Sequence, residues 1–205
     1  RHSMSEEILI NVAPMETRVA VLDNGVLQEV YIERTEKRGL VGNIYKGKVV
    51  RVLPGMQAAF VDIGLERAAF IHAADIITID ENGMESRSDN VPDIRTLVHD
   101  GKSLVVQVVK DPISSKGARL TTHLSISSRF LVYMPYTNHI GISQKIEKEE
   151  ERERLRTIVE ECLPKENRER AGGFIVRTVA ETATSEEIQT DALFLQKLWG
   201  DLKPG

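Results

Sequence analysis

Apolar and polar positions at the start of the chain alternate over short distances, which is the pattern of β-strands rather than of long helices. Two short apolar runs, Ile8–Val12 and Val19–Leu22, are followed by Asn24-Gly25, a pair typical of a tight turn. A further strand ending near Ile32 completes a β-hairpin predicted over residues 8–33. Because an isolated hairpin is only marginally stable in water, this one must pack against another part of the protein.

Residues 39–122 carry five short strand patterns and no long helical pattern. The predicted strands are Asn43–Leu53, Met56–Ile63, Arg67–His72, Ser103–Lys110 and Gly117–Thr122. Residues 77–96 are polar and contain Gly, Ser, Asp and Asn, so we predict a surface insertion there. Five strands in this arrangement indicate a small β-barrel of the oligonucleotide-binding (OB) class.

Beyond residue 123 strands and helices alternate. Strands are predicted at Phe130–Met134 and Phe174–Val179, and a charged helix over Ser143–Leu163. Thr184 and Glu187 form a capping-box pattern that opens a second helix. The apolar stripes are Leu155, Ile158, Val159 and Cys162 in the first helix and Ile188, Ala192, Leu195 and Trp199 in the second. The fold class is therefore α+β, and mostly β.

Because successive side chains of a β-strand point to opposite faces, two phenylalanines on neighbouring barrel strands are predicted to share one face. A three-residue turn at 64–66 would place Phe60 directly across from Phe70. If this face is outward, the rings form a platform on which nucleic-acid bases stack, at about 1–3 kcal/mol per base. If Val61 and Ile71 face outward instead, the phenylalanines belong to the core. The alternation by itself slightly favours this second arrangement.

The charges shift this balance toward the platform. The chain of 205 residues has 27 basic and 31 acidic side chains and a net charge of −4, so it has no general attraction to nucleic acid. The stretch 34–51 is nevertheless basic, with Arg34, Lys37, Arg38, Lys46, Lys48 and Arg51 against the single acid Glu36. Lys110, Lys116 and Arg119 lie on the returning strands. Cations beside exposed aromatic rings are what a groove for single-stranded nucleic acid requires.

The single cysteine and the lack of long apolar runs exclude several kinds of site and segment. Cys162 alone forms neither an internal disulfide nor a multi-cysteine zinc site, and it predicts a reducing, cytoplasmic location. No run approaches the roughly 20 apolar residues of a membrane-spanning helix, and no signal peptide precedes the first strand. Arg1-His2-Ser3 is interpreted as a tag remnant before a native start at Met4.

Several longer motifs resemble the ribonuclease E/G family. They are NIYKGKVVRVLPGMQAAFVDIGLERAAFIH (43–72), SKGARLTT (115–122), RFLVYMP (129–135), GISQKIE (141–147) and FIVRT (174–178). The first two resemble the S1-type RNA-binding domain as it occurs in that family, and the resemblance covers essentially all of the chain after Met4. SSRFLVYMP is more similar to the ribonuclease G branch of the family than to the ribonuclease E branch.

The resemblance implies a domain order and an activity. Residues 4–38 would begin an RNase H-like subdomain, residues 39–122 would be an S1-type OB-fold barrel inserted after its hairpin, and residues 123–205 would be a 5′-sensor region. The full-length protein is expected to be a metal-dependent endoribonuclease acting in rRNA 5′-end processing and mRNA decay. Its catalytic carboxylates and zinc-binding cysteines would lie beyond residue 205. Mg²⁺ and Zn²⁺ are therefore expected for the full-length enzyme and neither for this chain.

The resemblance also implies RNA-contacting residues in the barrel. Phe60, Phe70 and Lys116 match RNA-contacting positions of the family, and Lys46 and Lys48 are added from the basic stretch. The expected partner is single-stranded RNA, namely rRNA precursors and mRNA, with no membrane. The full-length protein is expected to form a homodimer or a larger homo-oligomer.

A second set of residues resembles the family's pocket for an RNA 5′-monophosphate. Arg177 and Thr178 in FIVRT match the pair that holds the phosphate, and a guanidinium suits this role because it donates in pairs to phosphate oxygens. Val132 and Ser128 match positions lining the same pocket. Ribonuclease E has a glycine where this chain has Ser128, which would change the approach of the backbone to the phosphate.

No catalytic centre can be assembled from the residues themselves. Paired carboxylates, a Ser/His/Asp or Cys/His arrangement and a phosphate-binding glycine loop are all unrecognisable in this sequence. We therefore expect this chain to bind RNA without cleaving it. Two alternatives stay open. One is a stand-alone RNA-binding module, which leaves the hairpin unexplained; the other is an interaction protein whose barrel binds another protein through the phenylalanines. Salt dependence of binding separates RNA from an apolar protein partner.

Overall fold

The structure is a computed structural model that describes residues 6–12, 17–23, 39–86, 90–166, 168 and 171–203. The strands are β1 (Glu6–Val12), β2 (Thr17–Asp23), β3 (Ile44–Leu53), β4 (Ala58–Asp62), β5 (Ala69–His72), β6 (Thr78–Ile79), β7 (Glu85–Ser86), β8 (Ser103–Lys110), β9 (Arg119–Thr121), β10 (Ile126–Ser127), β11 (Leu131–Met134), β12 (Ile140–Ile142) and β13 (Gly173–Val176). The α-helices are α1 (Ile94–Leu97), α2 (Glu149–Cys162) and α3 (Ser185–Leu202), and 3₁₀ turns lie at Pro54–Met56, Ala73–Asp75 and Thr178–Thr182.

Five strands close into a barrel in the order β3-β4-β5-β9-β8, with β8 returning to β3. Closure is possible because β3 is long: its first half pairs with β8 and its second half with β4. The β5–β9 pair is parallel and the other four pairs are antiparallel. The predicted five-stranded OB-type barrel is confirmed.

The barrel core contains small and branched apolar side chains from alternating strand positions, among them Val49, Ala59, Val61, Ile71, Val106, Val108 and Leu120. Ile94 of α1 is also completely buried in this core, and its backbone N–H donates to Gln57 Oε1 at 2.9 Å. The prediction that 77–96 is a surface insertion is therefore wrong at its C-terminal end, where α1 fills part of the barrel core. The four residues of α1 are too short a helical pattern to stand out next to a polar segment.

The first hairpin pairs β1 with β2 from Glu6 opposite Asp23 to Val12 opposite Thr17. The two apolar runs predicted there as strands are confirmed, whereas the turn at Asn24-Gly25 and the strand after it lie outside the described residues. β1 also pairs with β3 at Ile10 opposite Ile44, so the hairpin extends the barrel sheet. It is therefore not left alone in water.

A second core lies between a four-stranded sheet, in the order β10-β11-β13-β12, and helices α2 and α3. The strand predicted to reach Val179 ends at Val176, because residues 178–182 turn into a 3₁₀ helix. The helix predicted from Ser143 begins at Glu149. Three glutamates occupy its first turn, where their negative charges interact favourably with the positive end of the helix dipole. The short strands β10 and β12 were not predicted.

The capping box of α3 is confirmed. Thr184 Oγ1 accepts a hydrogen bond from Glu187 N at 3.1 Å, and Glu187 Oε1 accepts one from Thr184 N at 2.9 Å. The stripe predicted for this helix faces the core, with Trp199 edge-to-face against Tyr136 at 5.4 Å between ring centroids. Within the described ranges, no helix is long and apolar enough to cross a membrane.

Candidate nucleic-acid interface

Phe60 and Phe70 lie directly opposite each other on β4 and β5, as the turn length predicts. Val61 and Ile71 are completely buried, whereas Phe60 is 38% exposed and Phe70 is half-buried. The arrangement with the phenylalanines in the core is therefore wrong. The two rings belong to the outer surface of the barrel because the small interior is already filled by branched aliphatic side chains.

The cross-strand register extends this pair into a row of five outward positions over five strands. The row runs Arg51 (β3), Phe60 (β4), Phe70 (β5), Arg119 (β9) and Lys110 (β8). Register shifts before Arg51 and before Lys110 mark β-bulges, which leave Val50 and Val109 exposed. The row therefore holds two aromatic rings between cations on both sides.

The row crosses an open groove of about 780 Å³, called here the Phe groove. It is lined by Val50, Arg51, Leu53, Met56, Ala58, Phe60, Arg67, Ala68, Phe70, His72, Lys110, Asp111, Ile113, Ser115, Lys116, Gly117 and Arg119. Five of these side chains are Lys or Arg and one is a carboxylate, in a protein of net negative charge. Apolar and aromatic surface with concentrated positive charge suits a single-stranded polyanion that carries flat bases.

Lys116 reaches the groove because the β8–β9 loop is held against β5. Ile113 and Lys116 exchange backbone hydrogen bonds of 3.1 and 2.8 Å, and Arg67 Nη1 donates to the carbonyls of Ser114 and Lys116. A Cβ on Gly117 would lie 1.9 Å from the carbonyl oxygen of Ala68, so only glycine permits this close approach. The loop therefore presents Lys116 at a defined place on the groove wall.

The structure brings Phe60, Phe70 and Lys116 together but places Lys46 and Lys48 elsewhere. Both lysines are exposed on the first half of β3, do not line the Phe groove, and Lys48 lies opposite Asp62. The cations that do line the groove include Arg51, Arg67, Lys110 and Arg119, which were not predicted as site residues. Their charges are visible in the sequence, but the bulges and register that direct them to the groove are not.

The residues predicted to hold a 5′-phosphate lie around the end of β13 and form what we call the Arg177 cluster: Ser128, Val132, Arg177 and Thr178. Arg177 Nη1 donates to the carbonyl oxygen of Ser128 at 2.6 Å. The hydroxyls of Thr178 and Ser143 are 2.6 Å apart. Val132 is half-buried on β11, opposite Ile175. The end of β10, strand β11 and the end of β13, which are neighbours in the sheet, carry these four residues, and Ser143 follows β12 at the sheet edge.

Ser128 contributes its backbone carbonyl, and not its side chain, to the contact with Arg177. It is buried, and its hydroxyl donates to Asp191 Oδ2 at 2.5 Å, so it is directed toward α3. The same carboxylate oxygen accepts the backbone N–H of Phe130 at 2.9 Å. Asp191 and Ser143 therefore support the cluster, and neither was predicted. Ser143 lies in the GISQKIE motif, which offers a signal; Asp191 is a half-buried residue within a helix and offers none.

The described residues offer no metal centre. No group of three or more His, Cys, Asp or Glu side chains within the described ranges is placed to hold a metal ion. The carboxylates nearest the groove have other roles, since Asp111 Oδ1 accepts from Leu40 N at 2.6 Å and Asp75 pairs with Arg119. The described residues thus do not fit a two-metal or single-metal hydrolytic site.

Comparison with known proteins finds matches to two successive parts of the chain. Residues 40–114 match the S1 RNA binding domain, and residues 125–204 match the Ribonuclease E/G family. Ribonuclease G of Escherichia coli (strain K12) is 54% identical over 96% of this chain and 40% of its own length. Ribonuclease G of Haemophilus influenzae is 55% identical over 94% and 39%, and Ribonuclease E of Nostoc sp. is 36% identical over 96% and 26%.

The chain spans about two-fifths of the length of the ribonuclease G relatives it matches. The matched part contains both the barrel with its Phe groove and the sheet with its Arg177 cluster. With an S1 domain, a segment that matches the family itself and relatives of this similarity along almost its whole length, the chain belongs to the ribonuclease E/G family.

Proposed function

We propose that this chain is the RNA-recognition part of an endoribonuclease and that its Phe groove binds single-stranded RNA. The observation that carries the proposal is the pair Phe60 and Phe70, facing solvent on a closed barrel between cationic side chains. Each ring offers a face for one base, and such stacking contributes about 1–3 kcal/mol per base. Single strands are favoured because a duplex hides the faces of its bases.

Phosphate contacts supply the rest of the affinity in this proposal. Arg51 lies on one side of the aromatic pair, and Lys110, Lys116 and Arg119 on the other. Neutralising phosphates releases counterions, so binding weakens as salt rises. Base stacking accepts every base, and the groove is therefore expected to bind many sequences.

The Arg177 cluster is proposed to bind the 5′-monophosphate of the same class of RNA. Support comes from its donor types, a guanidinium on Arg177, which contacts the Ser128 carbonyl, and a hydroxyl on the adjacent Thr178, which contacts the Ser143 hydroxyl. A terminal phosphate would accept from Arg177 with two oxygens, which a 5′-hydroxyl cannot do. The cluster would thereby distinguish the two kinds of RNA end.

Cleavage is proposed to belong to the full-length protein. Metal-assisted phosphodiester hydrolysis needs carboxylates that converge on a divalent ion, which activates water and stabilises the leaving oxygen. The described residues do not supply them. We infer that Mg²⁺ and Zn²⁺ sites, the homo-oligomer contacts and the processing of rRNA precursors and mRNA belong to the protein as a whole.

The groove is tested by titrating a fluorescent single-stranded RNA with wild-type protein, Phe60→Ala and Phe70→Ala. Each substitution is expected to weaken binding by roughly 5- to 150-fold, which corresponds to about 1–3 kcal/mol. Phe194→Ala is the matched control, because Phe194 is 47% exposed on α3 and does not line the groove. Equal binding by all four proteins would refute the groove, and salt-independent binding would favour an apolar protein partner.

The Arg177 cluster is tested with RNA that carries a 5′-monophosphate or a 5′-hydroxyl. Wild-type protein is expected to prefer the monophosphate, and Arg177→Ala to lose this preference while keeping salt-sensitive binding of both RNAs. Arg156→Ala serves as the control, because Arg156 donates to the Ile140 carbonyl in the same part of the protein but lies outside the cluster. No preference in the wild-type chain would contradict the proposal for the cluster and leave that for the groove intact.

A further inference from the structure

We propose that Arg119, oriented by Asp75, is a further RNA-binding residue of the Phe groove and contacts the phosphate that flanks the base stacked on Phe70. The ligand class is an RNA phosphodiester, so this inference rests on the function proposed for the groove. Arg119 is a direct contact in this proposal, and Asp75 is a positioning residue that acts through it.

The position of Arg119 follows from the register of the barrel. Its Cα is paired with that of Phe70 on one side and with that of Lys110 on the other. Its neighbours in sequence, Ala118 and Leu120, are buried, so its side chain leaves the outer face of the barrel beside the Phe70 ring. A base stacked on Phe70 therefore has a guanidinium next to its own backbone.

The guanidinium of Arg119 is held by one carboxylate oxygen. Asp75 Oδ2 accepts hydrogen bonds from Nε at 3.2 Å and from Nη2 at 3.1 Å. A guanidinium has five N–H donors, so this contact leaves three for a ligand. The ion pair is partly exposed, with 35% of the Arg119 side chain and 22% of the Asp75 side chain accessible.

Asp75 is itself anchored to the strand that carries Arg119. Its carbonyl oxygen accepts from Thr122 N at 3.0 Å and from Thr121 Oγ1 at 3.1 Å. It ends the 3₁₀ turn after β5 and does not line the Phe groove. Asp75 therefore approaches Arg119 from outside the groove and restricts the rotamers of a long side chain before RNA arrives. Ordering a side chain in advance lowers the entropic cost of binding.

The direction in which replacing Asp75 changes RNA affinity distinguishes a positioning role for Asp75 from a purely electrostatic effect of its charge. Asp75 is a negative charge beside a site for a polyanion, so electrostatics alone predicts that its removal strengthens RNA binding. If Asp75 positions Arg119, its removal weakens RNA binding although the net charge becomes more positive. The two explanations thus predict opposite directions.

The test measures binding of oligouridine of about ten nucleotides with a 5′-hydroxyl, a probe chosen so that the Arg177 cluster has no phosphate to bind. The proteins are wild type, Arg119→Ala, Asp75→Asn and the double variant, each titrated over a range of salt concentrations. Glu66→Gln is the matched control, because Glu66 is an exposed acid in the β4–β5 turn outside the groove. Asp75→Asn keeps the size of the side chain but replaces the charge-assisted pair with Arg119 by a weaker neutral hydrogen bond, and thermal melting checks that each variant is folded.

Arg119→Ala is expected to weaken binding about tenfold and to lower the slope of log affinity against log salt by about 0.7, the value for one phosphate of a single strand. Asp75→Asn is expected to weaken binding roughly threefold, and the double variant to bind no more weakly than Arg119→Ala, since the two residues act through one contact. Glu66→Gln is expected to bind as well as wild type or better.

Tighter or unchanged binding by a folded Asp75→Asn variant would overturn the positioning role. An unchanged salt slope in Arg119→Ala would overturn the phosphate contact. Phe70→Ala is included so that failure of this inference can be distinguished from failure of the function proposed for the groove. If wild type does not bind oligouridine, or Phe70→Ala binds as well as wild type, the proposed function of the groove fails and this inference falls with it.

Discussion

The side chains of the Phe groove and of the Arg177 cluster differ in how far they are engaged by contacts within the protein. In the groove the aromatic rings face solvent and need no polar partner. In the cluster the polar groups are already bonded to each other: Arg177 to the Ser128 carbonyl, Thr178 to Ser143, and Ser128 to Asp191. Buried donors and acceptors must be paired, whereas an exposed ring costs little to leave unstacked.

The difference in internal bonding determines which region supplies RNA affinity and which supplies discrimination between RNA ends. A ligand in the groove adds stacking and charge contacts without breaking hydrogen bonds inside the protein. A phosphate in the cluster must exchange internal hydrogen bonds for new ones, so the net gain is small for any group that forms fewer of them. We therefore expect the groove to supply most of the affinity and the cluster to supply selectivity for the RNA end.

The largest effects are expected from replacing two glycines, because each replacement should disrupt only one of the two regions. A Cβ on Gly117 would lie 1.9 Å from the Ala68 carbonyl oxygen, and one on Gly173 would lie 2.1 Å from that of His139. Each change to alanine is expected to lower the free energy of unfolding by about 3 kcal/mol or more. Hydrogen exchange should show the barrel destabilised in Gly117→Ala and the sheet destabilised in Gly173→Ala.

Gly200 in α3 provides the control for both, because a Cβ there meets no atom within 4 Å. Gly200→Ala is expected to stabilise the helix by up to about 1 kcal/mol. Equal loss of protection in both regions for either disruptive variant would mean that the barrel and the sheet unfold as one unit and would contradict their independence.

Asp191→Ala is expected to have the next largest effect. It removes the acceptor of the Phe130 N–H and the shorter of the two contacts of the Ser128 hydroxyl, which also lies 3.2 Å from the Leu131 carbonyl oxygen. The free energy of unfolding should fall by about 1–3 kcal/mol, as measured by urea titration. Preference for a 5′-monophosphate should be lost while oligouridine binding is kept. A variant that lost oligouridine binding instead would show that Asp191 supports the barrel.

A smaller effect is expected from the cap of α3, the helix that carries Asp191. Thr184→Ala removes the side-chain acceptor of the capping box and should lower the free energy of unfolding by about 1 kcal/mol. Thr184→Ser keeps the hydroxyl and should be close to wild type. Because α3 does not contribute to the Phe groove, RNA binding there should be unchanged in both variants.

The smallest expected effect is a difference in pH dependence between the cap of α1, at the barrel, and the cap of α3. Side-chain and backbone hydrogen bonds from Arg95 hold the pKa of Asp93, the cap of α1 at the barrel, at about 2 against an ordinary 3.8. The Thr184 backbone N–H lowers the pKa of Glu187 below its ordinary 4.5. A depressed folded-state pKa adds stability above the unfolded value, which is lost as pH falls through the folded value.

Acidification from pH 5 should therefore loosen the α3 cap as Glu187 protonates below its ordinary 4.5, while the Asp93 cap persists until the pH nears about 2. Amide shifts of Glu187 and of Arg95, followed by NMR across this range, check the order. Simultaneous loss of the two caps would contradict it.

Much of the barrel could be predicted from the sequence because a short turn determines strand register. A reversal centred on residues 64–66 pairs Phe60 with Phe70, and this register is observed although β4 ends at Asp62 and β5 begins at Ala69. The outward direction of Arg51 and Lys110 could not be predicted, since a β-bulge inserts one residue without a composition of its own. The contact between Ser128 and Asp191 joins residues 63 positions apart, which no local pattern reveals.

Barrel closure also determines when during synthesis the groove comes into existence. Phe60 and Phe70 leave the ribosome long before Arg119, because chains emerge from the N-terminus. Until β9 docks, β5 has an unpaired edge, and such edges attract other strands. A nascent chain that ends before β9 would therefore display aromatic side chains at an open sheet edge without the cationic wall. Docking of β9, rather than the synthesis of the phenylalanines, sets the moment at which the growing chain can hold RNA and is protected from aggregation.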